Sequence, residues 1–162
     1  MLVAEYILPS PFHFPLLKEV KYDSSKKDFE NYYLSKEQLA SLFETALYKI
    51  SLRTLHELLS TDEANAIETI VFNGWIESIN RATRKTALNC ILSVKAEKSQ
   101  FGKFNTAKYD PKTGFDILDG TAASRLIDMV PINPIAQLNI YDKRFGPSHG
   151  GLLSESHNMV SV

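Results

Sequence analysis

Apolar and polar residues alternate along two short segments early in the chain, 17–22 and 28–33. A period of two places successive side chains on opposite faces of a β-strand. Residues 23–27, which separate the two segments, contain Asp and Ser, which favour tight turns. The pattern therefore predicts an antiparallel β-hairpin over residues 17–33.

A helical pattern follows over residues 36–59, where apolar side chains recur mostly three or four positions apart. Ser35 and Gln38 have the spacing of a capping box. In this motif the serine hydroxyl accepts from the amide of the third helical residue, whose side chain accepts from the serine amide. The sequence thus predicts a long amphipathic helix that packs on one face of a sheet.

Two longer segments, 66–80 and 86–96, are rich in β-branched and aromatic residues and predict a second hairpin. The connection between them is polar and basic. The dipeptide Asn73-Gly74 is a strong turn signal that could instead split the first segment into two strands. We favour a glycine bulge within one long strand, because a strand of residues 75–79 alone would leave half of its partner uncovered.

The two ends of the chain have weaker patterns. Prolines 9, 11 and 15 favour extended backbone, so the first 15 residues are predicted to be a covering arm rather than a helix or a paired strand. Asp110 and Pro111 predict the start of a short helix, and a second is expected over 121–129. A last strand is predicted at 135–138.

These elements predict an α+β fold: a mainly antiparallel sheet, one long helix on a face, and two short helices near the C-terminus. Residues 1–145 are expected to form a single domain. Residues 146–162 have no sustained period and are expected to be a loosely ordered tail.

Composition narrows the class of protein. The chain has 162 residues, 44% hydrophobic and 23% charged, with a net charge of −1, as in ordinary globular domains. A single cysteine, Cys90, excludes an internal disulfide and a cysteine-based zinc site. Glu5 comes too early for a signal peptide, and no run of 18 apolar residues is present. We therefore expect a cytoplasmic protein.

Charge is unevenly distributed. Residues 81–108 hold seven basic residues and one acid, a net charge of +6. Because phosphate contacts dominate nucleic-acid affinity, this segment is the candidate nucleic-acid-binding region. Its candidate residues are Arg81, Arg84 and Lys85 at the hairpin tip, followed by Lys95, Lys98 and Lys103. The alternative is that exposed turns are commonly basic, or that the segment complements the acidic residues 62–80 or another domain.

Residue types that often carry catalysis, such as paired carboxylates, histidine and cysteine, give weaker signals in this sequence. Glu19 and Lys21 match half of a metal-dependent nuclease motif, but Glu5 is the only earlier acid. We therefore interpret them as the solvated face of an edge strand. The four histidines lack metal-binding spacing, and Cys90 lies in an apolar run typical of a buried thiol. No catalytic residue, metal ligand or cofactor is predicted.

Residues 118–126 look distantly like the turn of a helix-hairpin-helix motif, which holds a phosphate at a glycine-containing bend. Ala122 stands where a second glycine is usual, and Asp119 would repel phosphate. An ordinary helix-helix connection is therefore the favoured interpretation.

A broader likeness spans about residues 4–145. The chain resembles a non-catalytic region of bacterial Mrr-like, type IV restriction endonucleases, through residues 5–11, 18–27, 69–85, 90–94, 109–112 and 130–135. In that family the nuclease domain, with an acidic residue and a Gln-x-Lys pair, follows on the C-terminal side. The likeness stops near residues 142–145, so none of those nuclease residues matches a position here.

The resemblance implies an accessory, DNA-facing or regulatory domain of a restriction-type endonuclease that is not catalytic by itself. The alternative is a docking or oligomerisation module of such a nuclease that does not contact DNA. The expected partners are duplex DNA, through the basic hairpin tip, or a nuclease domain or a second copy of the chain. No membrane partner is expected.

Overall fold

The computed structural model describes residues 1–79, 84–101 and 108–137. It confirms the α+β class and the mainly antiparallel pairing. The elements are β1 (Leu2–Ile7), β2 (Leu17–Asp23), β3 (Asp28–Tyr33), α1 (Lys36–Ser60), β4 (Thr69–Ile79), β5 (Thr86–Glu97), α2 (Lys98–Phe101), α3 (Pro111–Ile117) and β6 (Thr121–Ala122). The described helices include none long and apolar enough to cross a membrane.

The main sheet has four strands in the order β1-β4-β5-β6. Strands β4 and β5 pair antiparallel along their whole length, with a bulge between Gly74 and Trp75. One long bulged strand is therefore confirmed over a split at Asn73-Gly74. A Cβ atom on Gly74 would lie 2.6 Å from a terminal methyl of Leu8, so a larger residue here would have to displace that side chain.

The N-terminal segment departs from the prediction. Strand β1 is paired, and it runs parallel to β4, with Leu2 opposite Ile70 and Ile7 opposite Trp75. The prediction of an unpaired covering arm is wrong for residues 2–7. The first proline is Pro9, so residues 2–7 keep every backbone amide that a strand needs.

Helix α1 packs on one face of the main sheet. Its side chains Phe43, Leu47 and Leu55 share a buried core with Ile70 and Phe72 of β4. The predicted capping box is confirmed: the Gln38 amide donates to Ser35 Oγ at 3.2 Å, and the Ser35 amide donates to Gln38 Oε1 at 3.0 Å. The cap starts the helix directly after β3.

Two predictions near the C-terminus are wrong. Residues 121–129 form strand β6 and a 3-10 turn at Leu126–Asp128 rather than a helix, because the outer edge of β5 accepts Thr121 and Ala122 as partners. Residues 135–137 form no strand. They are held instead by side chains of the sheet, since the Ile135 amide donates to Ser93 Oγ at 3.0 Å. The rest of that predicted strand and the predicted tail lie outside the described residues.

Strands β2 and β3 form the predicted hairpin, but it is a separate two-stranded sheet. None of the residues in its strands is buried, and none belongs to the hydrophobic core. At its turn, Asp23 Oδ1 accepts from the amide and the hydroxyl of Ser25, at 2.8 and 2.6 Å. We call Leu17 to Tyr33 the aromatic hairpin.

Candidate functional site

The predicted nucleic-acid-binding residues do not form one described patch. Arg81 and Lys103 lie outside the described residues. Arg84 and Lys85 are exposed directly before β5, whereas Lys95 lies near its other end and Lys98 opens α2. Since a strand rises about 3.3 Å per residue, Lys95 is roughly 30 Å along β5 from Thr86, the first residue of the strand. DNA binding by these residues stays a prediction.

The two lysines at the far end of β5 are paired with acids. Lys95 Nζ lies 3.2 Å from Glu97 Oε1, and Lys98 Nζ lies 2.8 Å from Asp62 Oδ2. The hydrogen bond from Lys98, with those from the Ile67 and Ala66 amides, holds the pKa of Asp62 below its usual value. Lys98 thus joins α2 to the loop after α1, a structural role that competes with phosphate binding.

The nuclease half-motif is placed on the aromatic hairpin. Glu19 and Lys21 lie on exposed β2 and pair with each other, with Lys21 Nζ 3.2 Å from Glu19 Oε1. Glu5 is on β1, where its carboxylate accepts from Asn73 Nδ2 at 3.1 Å and from Trp75 Nε1. Over residues 1–79, 84–101 and 108–137, no three His, Cys, Asp or Glu side chains are grouped as metal ligands.

A polar cluster lies on the main sheet around Asn73 and Ser93, both fully buried. Asn73 Nδ2 donates to the Ala136 carbonyl at 2.7 Å, in addition to Glu5, and Asn73 Oδ1 accepts from Ser93 Oγ at 2.7 Å. Together with the Ile135 amide, these bonds join β1, β4, β5 and the segment near 135. The cluster is a structural connection, because every polar group described in it has a partner.

Cys90 is buried in β5, as predicted. Burial raises the pKa of its thiol to about 11, and the negative charge of Glu5 adds to this effect. At neutral pH the group is therefore a thiol rather than the nucleophilic thiolate. Cys90 fills space in the sheet.

The segment at 118–126 lacks the second helix that a helix-hairpin-helix turn requires. Helix α3 ends before Asp119, which has a left-handed φ of 52°, and β6 follows at once. A Cβ atom on Gly120 would lie 2.3 Å from the Phe115 ring. The glycine therefore permits tight packing of the turn on α3. The segment connects a helix to a strand, so the predicted helix-helix connection is wrong.

The aromatic hairpin presents two different faces. Directly paired residues of antiparallel strands share a face. Among the paired residues, one face carries no charge and consists of Leu17, Val20, Tyr22, Phe29, Asn31 and Tyr33; we call it the uncharged face. Its rings Tyr22, Phe29 and Tyr33 are 57%, 67% and 64% exposed. Tyr22 and Phe29 contact each other edge to face, with centroids 5.3 Å apart.

The opposite face is charged, and its groups interact with one another. Lys21 Nζ lies 5.2 Å from the Tyr32 ring centroid, and the Tyr32 hydroxyl donates to Glu30 Oε2 at 3.1 Å. This hydrogen bond raises the pKa of Tyr32, while the hydrogen bond from Lys26 lowers the pKa of Glu30. Polar groups are therefore satisfied on one face of the hairpin, while large apolar groups contact solvent on the other.

The sequence predicts this hairpin, but it does not predict that one face stays exposed. The alternation at 17–22 and 28–33 carries the signal, since Val20, Tyr22 and Phe29 fall on one face. Alternation predicts a strand pair within one covered sheet, and it does not indicate whether any element covers the uncharged face. Comparison of the chain with protein-family models, curated proteins and solved structures gives no match.

Proposed function

We propose that this chain is a protein-docking module and that the uncharged face of the aromatic hairpin is its docking surface. The resemblance to restriction endonucleases would place such a module beside a nuclease. The observation that carries the proposal is the exposure of Tyr22, Phe29 and Tyr33 on one continuous face.

The size of this face supports a binding role. At about 200 Å² for each ring, the three aromatic side chains expose roughly 380 Å². The largest apolar patch on a typical monomer is about 300 to 600 Å² and is often functional. An isolated two-stranded hairpin is only marginally stable in water, so a partner that covers this face would also stabilise the hairpin.

Charge favours a protein partner over DNA for this surface. The aromatic hairpin holds four lysines and four acids, so its net charge is zero. The uncharged face offers no cation to a phosphate, and phosphate contacts supply most of the affinity for nucleic acid. Apolar and aromatic side chains are enriched at the centres of protein interfaces.

A photocrosslinking experiment tests the proposal. p-Benzoylphenylalanine is placed at Phe29, on the uncharged face, or at Tyr32, on the charged face of the same strand. We expect irradiation of cells that make the chain to attach a polypeptide to the Phe29 variant and much less to the Tyr32 control. Attachment to nucleic acid alone, or to nothing, would contradict the proposal.

A second candidate function is DNA contact at the tip of the β4–β5 hairpin, favoured by the exposure of Arg84 and Lys85 beside it. Each neutralised phosphate contributes about −0.9 to the slope of log affinity against log salt. Changing Arg81, Arg84 and Lys85 to alanine should therefore flatten that slope for duplex DNA by about 2 to 3. An unchanged slope, or no binding of the parent chain at low salt, would remove this candidate.

A further inference from the structure

An apolar groove of about 750 Å³ lies at the root of the aromatic hairpin. Leu16, which directly precedes β2, lines it together with Phe12, Ile79 and Met129. Phe12 and Ile79 are 87% and 69% exposed, so nothing in the described chain fills it. Asp128 is the only charged residue among the described residues that line it, and Arg125 Nε lies 3.8 Å from its carboxylate.

The hairpin cannot fill the groove of its own chain. Leu16 lies at the groove and Leu17 begins β2, and the Leu34 amide donates to the Leu16 carbonyl at 2.8 Å to close the root. At about 3.3 Å per residue, Tyr22 is roughly 15 Å along the strand from Leu17. Its partner Phe29 is equally far. The two rings nearest the turn are thus carried away from the groove and are available to another molecule.

Each chain therefore has one uncovered apolar projection and one unfilled apolar groove. If two copies exchange hairpins, each projection enters a groove, and a two-fold axis closes the assembly without leaving a free end. Surfaces so poor in charge are typical of interfaces between identical subunits, which are more apolar than transient ones.

The area that a stable complex needs favours exchange over simple stacking. A standard interface buries about 800 Å² on each partner. Stacking two uncharged faces would bury roughly 380 Å² of ring surface on each chain, about half of that. Exchange buries the exposed groove side chains Phe12 and Ile79 as well as the three rings, so it buries more surface on each chain than stacking does.

We infer that the partner of the uncharged face is a second copy of this chain, and that each copy inserts its aromatic hairpin into the groove of the other. The inference rests on the proposed docking function and specifies its partner.

Sedimentation of the purified chain tests the inference. We expect a dimer that dissociates when Tyr22 and Phe29 are both changed to serine, and also when Phe12 and Ile79 are both changed to serine. Each pair removes large side chains from the exchanged contact, so the dissociation constant should rise at least about 100-fold. Tyr32→Ser, on the charged face, should leave it unchanged.

Mixing the two double variants tests the exchange itself. The hairpin variant keeps an intact groove and the groove variant keeps an intact hairpin, so their mixture should form a heterodimer tighter than either homodimer. All four positions are exposed, and thermal unfolding of the monomers verifies that both variants fold.

Two outcomes would overturn the inference. One is a parent chain that stays monomeric, and the other is a groove variant that dimerises as tightly as the parent. A monomeric chain whose Phe29 crosslinks to a different polypeptide would retain the docking function and lose the exchanged dimer. If Phe29 crosslinks to no polypeptide, the docking function fails as well.

Discussion

The described part of the chain includes two antiparallel hairpins, which differ in what covers them. The β4–β5 hairpin lies under α1, and Phe72 of β4 is fully buried there. The aromatic hairpin also has a face with large apolar side chains, but Phe29 on it is 67% exposed. An apolar strand face can be buried, but the strand's own sequence does not determine whether another element covers it. One hairpin buries its face within the chain, and the other leaves its face exposed to solvent.

The largest expected difference in the free energy of unfolding is between alanine variants of Phe72 and Phe29. Phe72→Ala should lower the free energy of unfolding by about 3 to 5 kcal/mol, because it leaves a cavity in the core. Phe29→Ala should change it by less than about 0.5 kcal/mol in dilute solution, because the ring is exposed. Urea denaturation at low protein concentration measures both values, and similar losses would mean that the hairpins are equally covered.

A smaller effect separates two serines. Ser93→Ala should cost about 1 to 3 kcal/mol, since it leaves the Ile135 amide and Asn73 Oδ1 without this partner in a buried site. Ser25→Ala removes an exposed hydrogen bond at the turn of the aromatic hairpin and should cost less than about 0.5 kcal/mol. Thermal unfolding of both variants makes the comparison. A negligible loss for Ser93→Ala would show that the polar cluster does not hold the sheet.

The junction between the two regions should give an intermediate effect. Ser35 caps α1 immediately after the aromatic hairpin, so Ser35→Ala should cost about 1 kcal/mol. Ser35→Gly should cost only a few tenths of that, since glycine is tolerated at this position. Equal losses in chemical denaturation would indicate that the serine stabilises something other than the helix start.

The smallest expected effect is on the pH dependence of the free energy of unfolding. The pKa of Asp62 is lowered in the folded chain, so its stabilisation is complete above the unfolded pKa and disappears as pH falls through the folded value. Asp62→Asn should therefore lower stability at neutral pH and weaken its decline between about pH 5 and pH 2. Glu30→Gln, in an exposed ion pair of the aromatic hairpin, should change the profile little. Unfolding curves across this pH range would show the difference, and identical profiles would contradict it.

Local pattern determined much of the fold. The alternation of 17–22 and 28–33 and the capping box at Ser35 depend on residues close in sequence. A strand and a helix start are set by backbone and side-chain chemistry within a few residues, which is why these elements could be predicted. The bulge at Gly74 is predicted from the length of the partner strand, since the local Asn-Gly signal alone favours a turn. The net positive charge of residues 81–108 follows from the sequence. Whether their basic side chains form one surface does not.

Only the tertiary structure decided how the elements meet. Strand β1 pairs with residues almost 70 positions away, and the segment at 135–137 is held by Ser93 and Asn73 rather than by a strand partner. The ends of β5 separate Arg84 from Lys95, and α1 covers one hairpin but not the other. Sequence periodicity defines which side chains share a face. What lies against that face depends on contacts between distant residues, and these exist only once the chain has folded.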